Sequence, residues 1–358
     1  MHIPDGYLSP QTCAVGFGAT VPVWTVAARR AEKVVTSRHV PLLAIGAAYC
    51  FLVMMFNVPI PDGTTAHAVG AVLVACLLGP WAAVIAVSIA LAIQALFFGD
   101  GGVLAYGVNC CNMAVVMPFV GYGVYRLGAR RASLTSPSRA VAAGAGAYIG
   151  LNAAALCAAI EFGIQPDLFH RADGTPLYAP FHLSQAIPAM MLAHLLIAGA
   201  VDAALTAGVI AYLQRANVPM LRVNHAAVPD DDAAVGDDGE VERAPASHGW
   251  RWAWIGLGGM ALLTPLGLIA PGSAFGEVAP HDLAVHQYGL TAVPDGLRHY
   301  AGFFHHAIFD GYSFRNDRHP ALAYLVSAAV GLAAIAIVVC SLWLLWRAWR
   351  RRRPGSVA

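Results

Sequence analysis

The sequence predicts an all-α protein of the membrane: a polytopic bundle of seven helices followed by a C-terminal module of two. Three observations carry that expectation. Of the 358 residues, 58% are hydrophobic and only 11% are Asp, Glu, Lys or Arg, with a mean hydropathy of +0.61. A soluble domain carries about 25% charged residues, and so few charges cannot solvate a globule of this size. The apolar residues also gather into runs near the ~20 residues that a bilayer-spanning helix needs.

Those runs are 9–28, 40–57, 81–98, 105–125, 140–162, 184–213, 250–270 and 321–346. A shorter apolar segment, 67–79, ends at Gly79-Pro80 and is counted as the third helix, packed on protein or tilted, because the topology requires it. Basic residues orient the bundle. Arg29, Arg30, Lys33 and Arg38 follow the first span, Arg126, Arg130, Arg131 and Arg139 the fifth, and Arg347 and Arg350 to Arg353 the last. By the positive-inside rule these segments are cytoplasmic. The connections 58–66 and 99–104 lack Lys and Arg and belong outside, which puts the N-terminus outside and the C-terminus inside. Arg298, Arg315 and Arg318 lie in a long external loop, 271–320, and long loops translocate regardless of charge. No basic residue precedes Arg29, so the opening lacks the n-region of a signal peptide and is expected to stay in the mature chain.

Composition divides the chain. Residues 1–213 form the seven-helix module. Residues 214–249 carry Asp230, Asp231, Asp232, Asp237, Asp238 and Glu240 among Ala, Gly and Pro, the composition of a flexible cytoplasmic linker. Residues 250–358 form the two-helix module. The seven cysteines are dispersed and mostly apolar-flanked, without a CxxC pair, so neither a disulfide framework nor a zinc site is expected. No lysine-rich stripe exists to track nucleic acid. GxxxxGK[ST], HExxH and GxSxG are absent, so this chain does not itself hydrolyse ATP.

The residues that could carry chemistry gather outside. His2 stands one residue from the α-amine, and His67 begins the third helix just after Pro61-Asp62-Gly63. A terminal amine, the next amide nitrogen and that residue's imidazole can chelate one ion in five- and six-membered rings, and square-planar nitrogen sets suit nickel(II) or copper(II). The same two histidines also read as ordinary solvated side chains. Pro-Asp-Gly at 4–6, 61–63 and 294–296 marks tight turns, the first two turning the chain back over the candidate site. Of the polar residues within spans, Asn109, Asn112 and Gln94 are candidates to support the imidazoles from the second row, and Asp202 reads as a helix-packing or partner contact. Small-residue runs such as Ala140 to Ala147 permit close helix approach, to this chain or to another subunit. The loop histidines His281, His286, His299, His305, His306 and His319 read as loop surface or a metal funnel.

The opening Met1-His2-Ile3-Pro4-Asp5-Gly6, followed by His67, resembles the substrate-capture component of energy-coupling-factor nickel/cobalt transporters over residues 1 to about 213. The C-terminal module resembles their small two-helix accessory component, here fused. That component typically carries Pro-Asp-Gly-Leu-Glu; this chain has Pro294-Asp295-Gly296-Leu297 and then Arg298, so no role passes to that acid. The resemblance implies square-planar capture of a divalent ion by four nitrogens: the Met1 amine, the His2 amide and imidazole, and the His67 imidazole. It also implies an ATP-driven importer of the bacterial inner membrane, with a coupling transmembrane subunit and ATP-binding-cassette ATPase subunits supplied by other chains. Nickel is the expected cargo, Ni2+ fitting the square-planar set, and Co2+ for cobalamin synthesis is the alternative. A membrane-embedded metalloenzyme built on His305, His306 and Asp310, or a self-sufficient carrier, are the rival classes. The ligand set is complete before residue 70, so the accessory module is expected to be needed for transport and not for binding.

Overall fold

The computed structural model describes residues 1–34, 40–60, 64–225, 247–270, 272–315 and 318–351. Helix α1 (Pro10–Val34) starts behind Ser9, whose hydroxyl accepts the Thr12 N–H at 3.0 Å and so caps the free end of the helix. Helix α2 (Val40–Met54) leads into a minimal antiparallel hairpin, β1 (Val58–Pro59) and β2 (Thr65–Ala66), in the register Val58↔Ala66. Helices α3 (Ala71–Leu78) and α4 (Pro80–Phe98) are separated by Gly79 alone. Helix α5 (Tyr106–Gly128) contains a π-helical stretch at Cys110–Val116, and α7 (Leu183–Ala216) another at His194–Ala198, with α6 (Pro137–Gly163) between them. Helix α8 (Ser247–Leu263) runs on into a 3-10 turn, and α9 (Pro320–Arg351) closes the described chain.

Helices α4, α5, α7, α9 and α6 extended to Leu168 are long and apolar enough to cross a bilayer, while Val40–Met54 and Ala253–Ile269 are shorter apolar helices. The outer surface of the bundle presents Val15, Leu127, Val141, Leu262 and Leu345, as a lipid-facing surface requires. This is a multi-pass membrane protein.

The third expected span differs from expectation. Helix α3 has eight residues, about 12 Å at 1.5 Å per residue, less than half of the ~30 Å hydrocarbon core. His67 does not begin it. The helix cannot be extended backwards because Gly70 sits at φ +76°, a left-handed conformation. The Gly70 N–H donates instead to Asp202 Oδ1 at 2.9 Å. Asp202 is thus a packing contact, anchoring the start of α3 to α7, and it frees residues 67–69 from helical geometry.

Small residues set the helix spacing. A Cβ on Gly121 of α5 would lie 2.7 Å from the Gly146 carbonyl of α6, and one on Gly144 would lie 3.0 Å from the Ala203 carbonyl of α7. The small-residue face of α6 is therefore occupied by this chain's own helices. Helix α9 packs on α2 and α4, with Gly331 seated against the Phe51 ring. Beyond α7 the Asn224 amide donates to the carbonyls of Ala75 and Cys76 at the end of α3. The acidic part of the expected linker, 226–246, and the turn Pro61-Asp62-Gly63 lie outside the described residues.

Candidate metal centre

The first nine residues are not a solvated tail. Met1, His2, Ile3, Asp5, Tyr7, Leu8 and Ser9 are all buried, and each turn of the segment has a partner. The Ile3 N–H donates to Asn109 Oδ1 at 2.9 Å, and the Asn109 amide donates back to the Ile3 carbonyl at 3.0 Å. That carbonyl also accepts the Gly102 N–H. The Asp5 carboxylate accepts the N–H groups of Val103, Leu104 and Ala105 at 3.1, 2.8 and 3.2 Å, the free donors at the start of α5. Gly102 leaves no room for a side chain, since its Cβ would meet Asp5 Oδ1 at 2.1 Å and Asp5 N at 2.6 Å. The Tyr7 hydroxyl donates to the Val278 carbonyl and the Ser9 N–H to Gln165 Oε1.

This seating brings His2 under His67. Their rings stack with centroids 4.8 Å apart, and both are buried. His67 Nδ1 lies 3.0 Å from the Ala68 carbonyl. A carbonyl only accepts, so Nδ1 carries the proton and Nε2 keeps its lone pair. That Nε2, and both ring nitrogens of His2, are buried without a hydrogen-bond partner. His2 Nδ1 does lie 3.2 Å from Asp100 Oδ1, but without hydrogen-bond geometry. The Met1 ammonium donates to Glu277 Oε1 at 2.8 Å. Ligating atoms of His2, His67 and Glu277 lie within 4.8 Å of one another, the one such triad among the described residues. Unpartnered buried nitrogens are costly in a folded protein unless something binds them. A divalent ion fits the donor chemistry.

Electrostatics suit the same purpose. Burial pushes His2 down to about 4 and His67 down to about 3, with the nearby ammonium adding to both. The two imidazoles are therefore neutral near pH 7, the state that ligates metal. Burial raises Asp100, and the like charge of Glu277 adds to the rise. Burial works to raise Glu277 as well, but the Met1 ammonium holds it below the ordinary carboxylate range.

The expected supporting residues divide. Asn109 meets the backbone of Ile3, not an imidazole. Gln94 donates to Asp100 Oδ2 at 3.2 Å and to the Tyr312 hydroxyl at 3.0 Å, so it braces the carboxylate that lies 3.2 Å from His2 Nδ1. Asn112 turns away and donates to Glu161 Oε2 at 2.6 Å. His305 and His306 touch each other on the surface, ring to ring at 4.3 Å, and do not converge with Asp310 on a common point. Three residues at or near the site escaped the sequence reading. Asp100 stands among glycines in Gly99-Asp100-Gly101-Gly102, within a connection that lacks Lys and Arg. His194 opens the π-stretch of α7, with Nδ1 on the Met190 carbonyl and Nε2 buried and unpartnered; an ionisable residue inside a span was the available signal. Glu277 comes from beyond the expected linker, and nothing local marks it.

A cavity of about 610 Å³, lined by Asp5, His67, Asp100, Glu277, His305 and Asp310 among others, opens onto this centre. A larger one of about 820 Å³ between α2, α3, α7 and α8 is mainly apolar, lined by Leu42, Leu77, Val209, Leu257 and Met260, with no His, Cys, Asp or Glu in its lining.

Residues 2–220 match the family CbiM, described as "Cobalt uptake substrate-specific transmembrane region". The chain is 48% identical over 348 residues to the "Fused nickel transport protein NikMN" of Rhodobacter capsulatus, covering 94% of this chain and 95% of that one. It is 42% identical over 345 residues to the "Probable fused nickel transport protein LarMN" of Lactiplantibacillus plantarum, covering 95% and 96%. A solved structure, "Crystal Structure of an Truncated Transition metal Transporter", superposes with a TM-score of 0.56 at 59% identity, covering 60% of this chain and 98% of that one.

Proposed function

We infer the function from the premise that this chain belongs to the CbiM family of cobalt-uptake substrate-specific transmembrane proteins and is a nickel or cobalt transport protein, not an enzyme. On that premise we propose that it captures the ion at the external face with four nitrogens: the Met1 amine, the His2 amide and imidazole, and Nε2 of His67. The observation that carries this reading is the set of buried, unpartnered ring nitrogens of His2 and His67 beside the chain-end amine. Nickel is the cargo on this reading, because nitrogen donors in a plane favour Ni2+, with Co2+ the alternative. The cavity of about 610 Å³ is the route in from the outside. Residues 1–213 form the capture module and residues 250–358 the accessory module, joined by the acidic linker 214–249. The N-terminus lies outside and the C-terminus in the cytoplasm of the inner membrane. Inward release is driven by ATP, hydrolysed by ATP-binding-cassette subunits acting through a transmembrane coupling subunit.

The test is the metal content of purified protein by mass spectrometry. One residue added before Met1 turns the amine into an amide. That variant, His2→Ala and His67→Ala should each lose nickel, while Cys13→Ala and a tag after Ala358 should keep it. Full nickel in a correctly inserted, N-terminally extended protein would remove Met1 from the site. Cellular uptake of nickel against cobalt, with the partner subunits present, separates the two cargoes, and equal or cobalt-preferring uptake would end the nickel assignment.

A further inference from the structure

The carboxylate on the chain-end amine comes from the far part of the chain, and its placement is built rather than incidental. Glu277 follows Ala274, which bridges to Thr65 of β2, two residues before His67. Thr64 donates to the Ser273 carbonyl. Phe275 is held among Phe181 (4.7 Å between centroids) and Phe162 (6.3 Å), and Phe181 stacks in turn on Tyr7. Gly276, at φ +77°, lies against the Phe162 ring, where a Cβ would approach to 2.5 Å. Val278 accepts the Tyr7 hydroxyl. Glu277 is thus fixed on both sides by residues that also position the N-terminal segment, and its Oε1 meets the Met1 nitrogen at 2.8 Å.

We propose that Glu277 is a positioning residue for ion capture, contributed by the connection between α8 and α9: it orients the Met1 amine toward the imidazoles and supplies the negative charge that a buried dication requires. This rests on the capture reading above. The charge argument is chemical. Four nitrogens, even with one amide deprotonated, leave a divalent ion with net positive charge, and a buried charge is tolerated only when paired. Glu277 is the carboxylate among the three mutually close ligating groups. The inference changes the division of labour read from the sequence: the C-terminal part takes part in holding the ion as well as in transport.

The experiment uses the full chain, purified, with Ni2+ titrated against a chromophoric chelator. Glu277→Gln is isosteric and keeps an acceptor for the amine, so the loop's seat is retained and only the charge is lost. Loss of such an outer-shell partner weakens metal binding by about 10- to 100-fold, and that is the expected result for Glu277→Gln. Asp282→Asn, an exposed acid on the same connection, should bind as wild type. In cells the KM for uptake should rise in Glu277→Gln with the maximal rate unchanged. Wild-type affinity in Glu277→Gln overturns the inference, as does an equal loss in Asp282→Asn. The two levels remain distinguishable. If the N-terminal extension and His67→Ala still bind nickel, the capture site itself is misplaced; if they lose it and Glu277→Gln does not, only the role of Glu277 falls.

Discussion

Replacing Asn109 with alanine removes both side-chain hydrogen bonds that hold Ile3, and with them the register of the chain end proposed to ligate the ion. The Ile3 carbonyl keeps the Gly102 N–H, so its loss is the net value of one hydrogen bond, about 1 kcal/mol. The Ile3 N–H has no second acceptor at this buried position, and an orphaned buried donor costs about 1–3 kcal/mol. Together the seated conformation loses about 2–4 kcal/mol. If the proposed capture site binds the ion through the seated end alone, that free energy is subtracted from binding, and at 1.4 kcal/mol per tenfold the upper limit is roughly a 30- to 700-fold loss of affinity. Nickel titration of the purified Asn109→Ala protein measures it, with ion-free melting recorded in parallel to show that the bundle is intact. Wild-type affinity in Asn109→Ala would refute the idea that this side chain presents the chain end.

Three further outcomes follow from the same geometry. Gly102→Ala forces a Cβ against the Asp5 backbone and should abolish metal retention while costing about 1–3 kcal/mol in stability; Gly18→Ala, with nothing within 4 Å, should change neither, and equal behaviour of the two would refute the steric account. Asp202→Ala leaves the Gly70 N–H unpaired and should lower stability by about 1–3 kcal/mol, whereas Asp202→Asn keeps an acceptor and should be milder; the ratio of their melting shifts is the check. Finally, the ion-free protein should lose stability in acid. His2 and His67 sit at about 4 and about 3 in the folded chain against about 6.5 unfolded, so the unfolded state binds protons first. The stabilisation is full above pH 6.5 and is lost as pH falls toward about 4 for His2 and about 3 for His67. At 1.36 kcal/mol per pK unit each histidine contributes about 3–5 kcal/mol over its whole window. Melting between pH 7 and 4.5 should show this slope and His67→Ala should flatten it; a wild-type protein insensitive to pH there would mean that the imidazoles are not buried neutral.

Run length and charge sign are local properties of a chain, and the features that depend on them alone are legible without coordinates. The bilayer-length helices, and the apolar character of the chain as a whole, follow from hydropathy because a bilayer offers no partner for exposed backbone. The pairing of His2 with His67 was within reach, since a chain terminus and an imidazole after an uncharged connection are visible in sequence. Other features were not. The third span stops at eight residues because Gly70 is left-handed and because Asp202, 132 positions away, takes its N–H. No periodicity encodes that. The burial of the first nine residues depends on Asn109, Gly102 and the donors of residues 103–105, whose identities look like helix-start and loop composition until the chain end is laid across them. Glu277 reaches an amine 276 residues away, brought there by the bridge of Ala274 to Thr65, the packing of Phe275 against Phe162 and Phe181, and the Tyr7 hydroxyl on the Val278 carbonyl. A metal-ligating constellation is defined by where lone pairs converge in space, and convergence across hundreds of residues is a property of the folded chain, not of any segment of it.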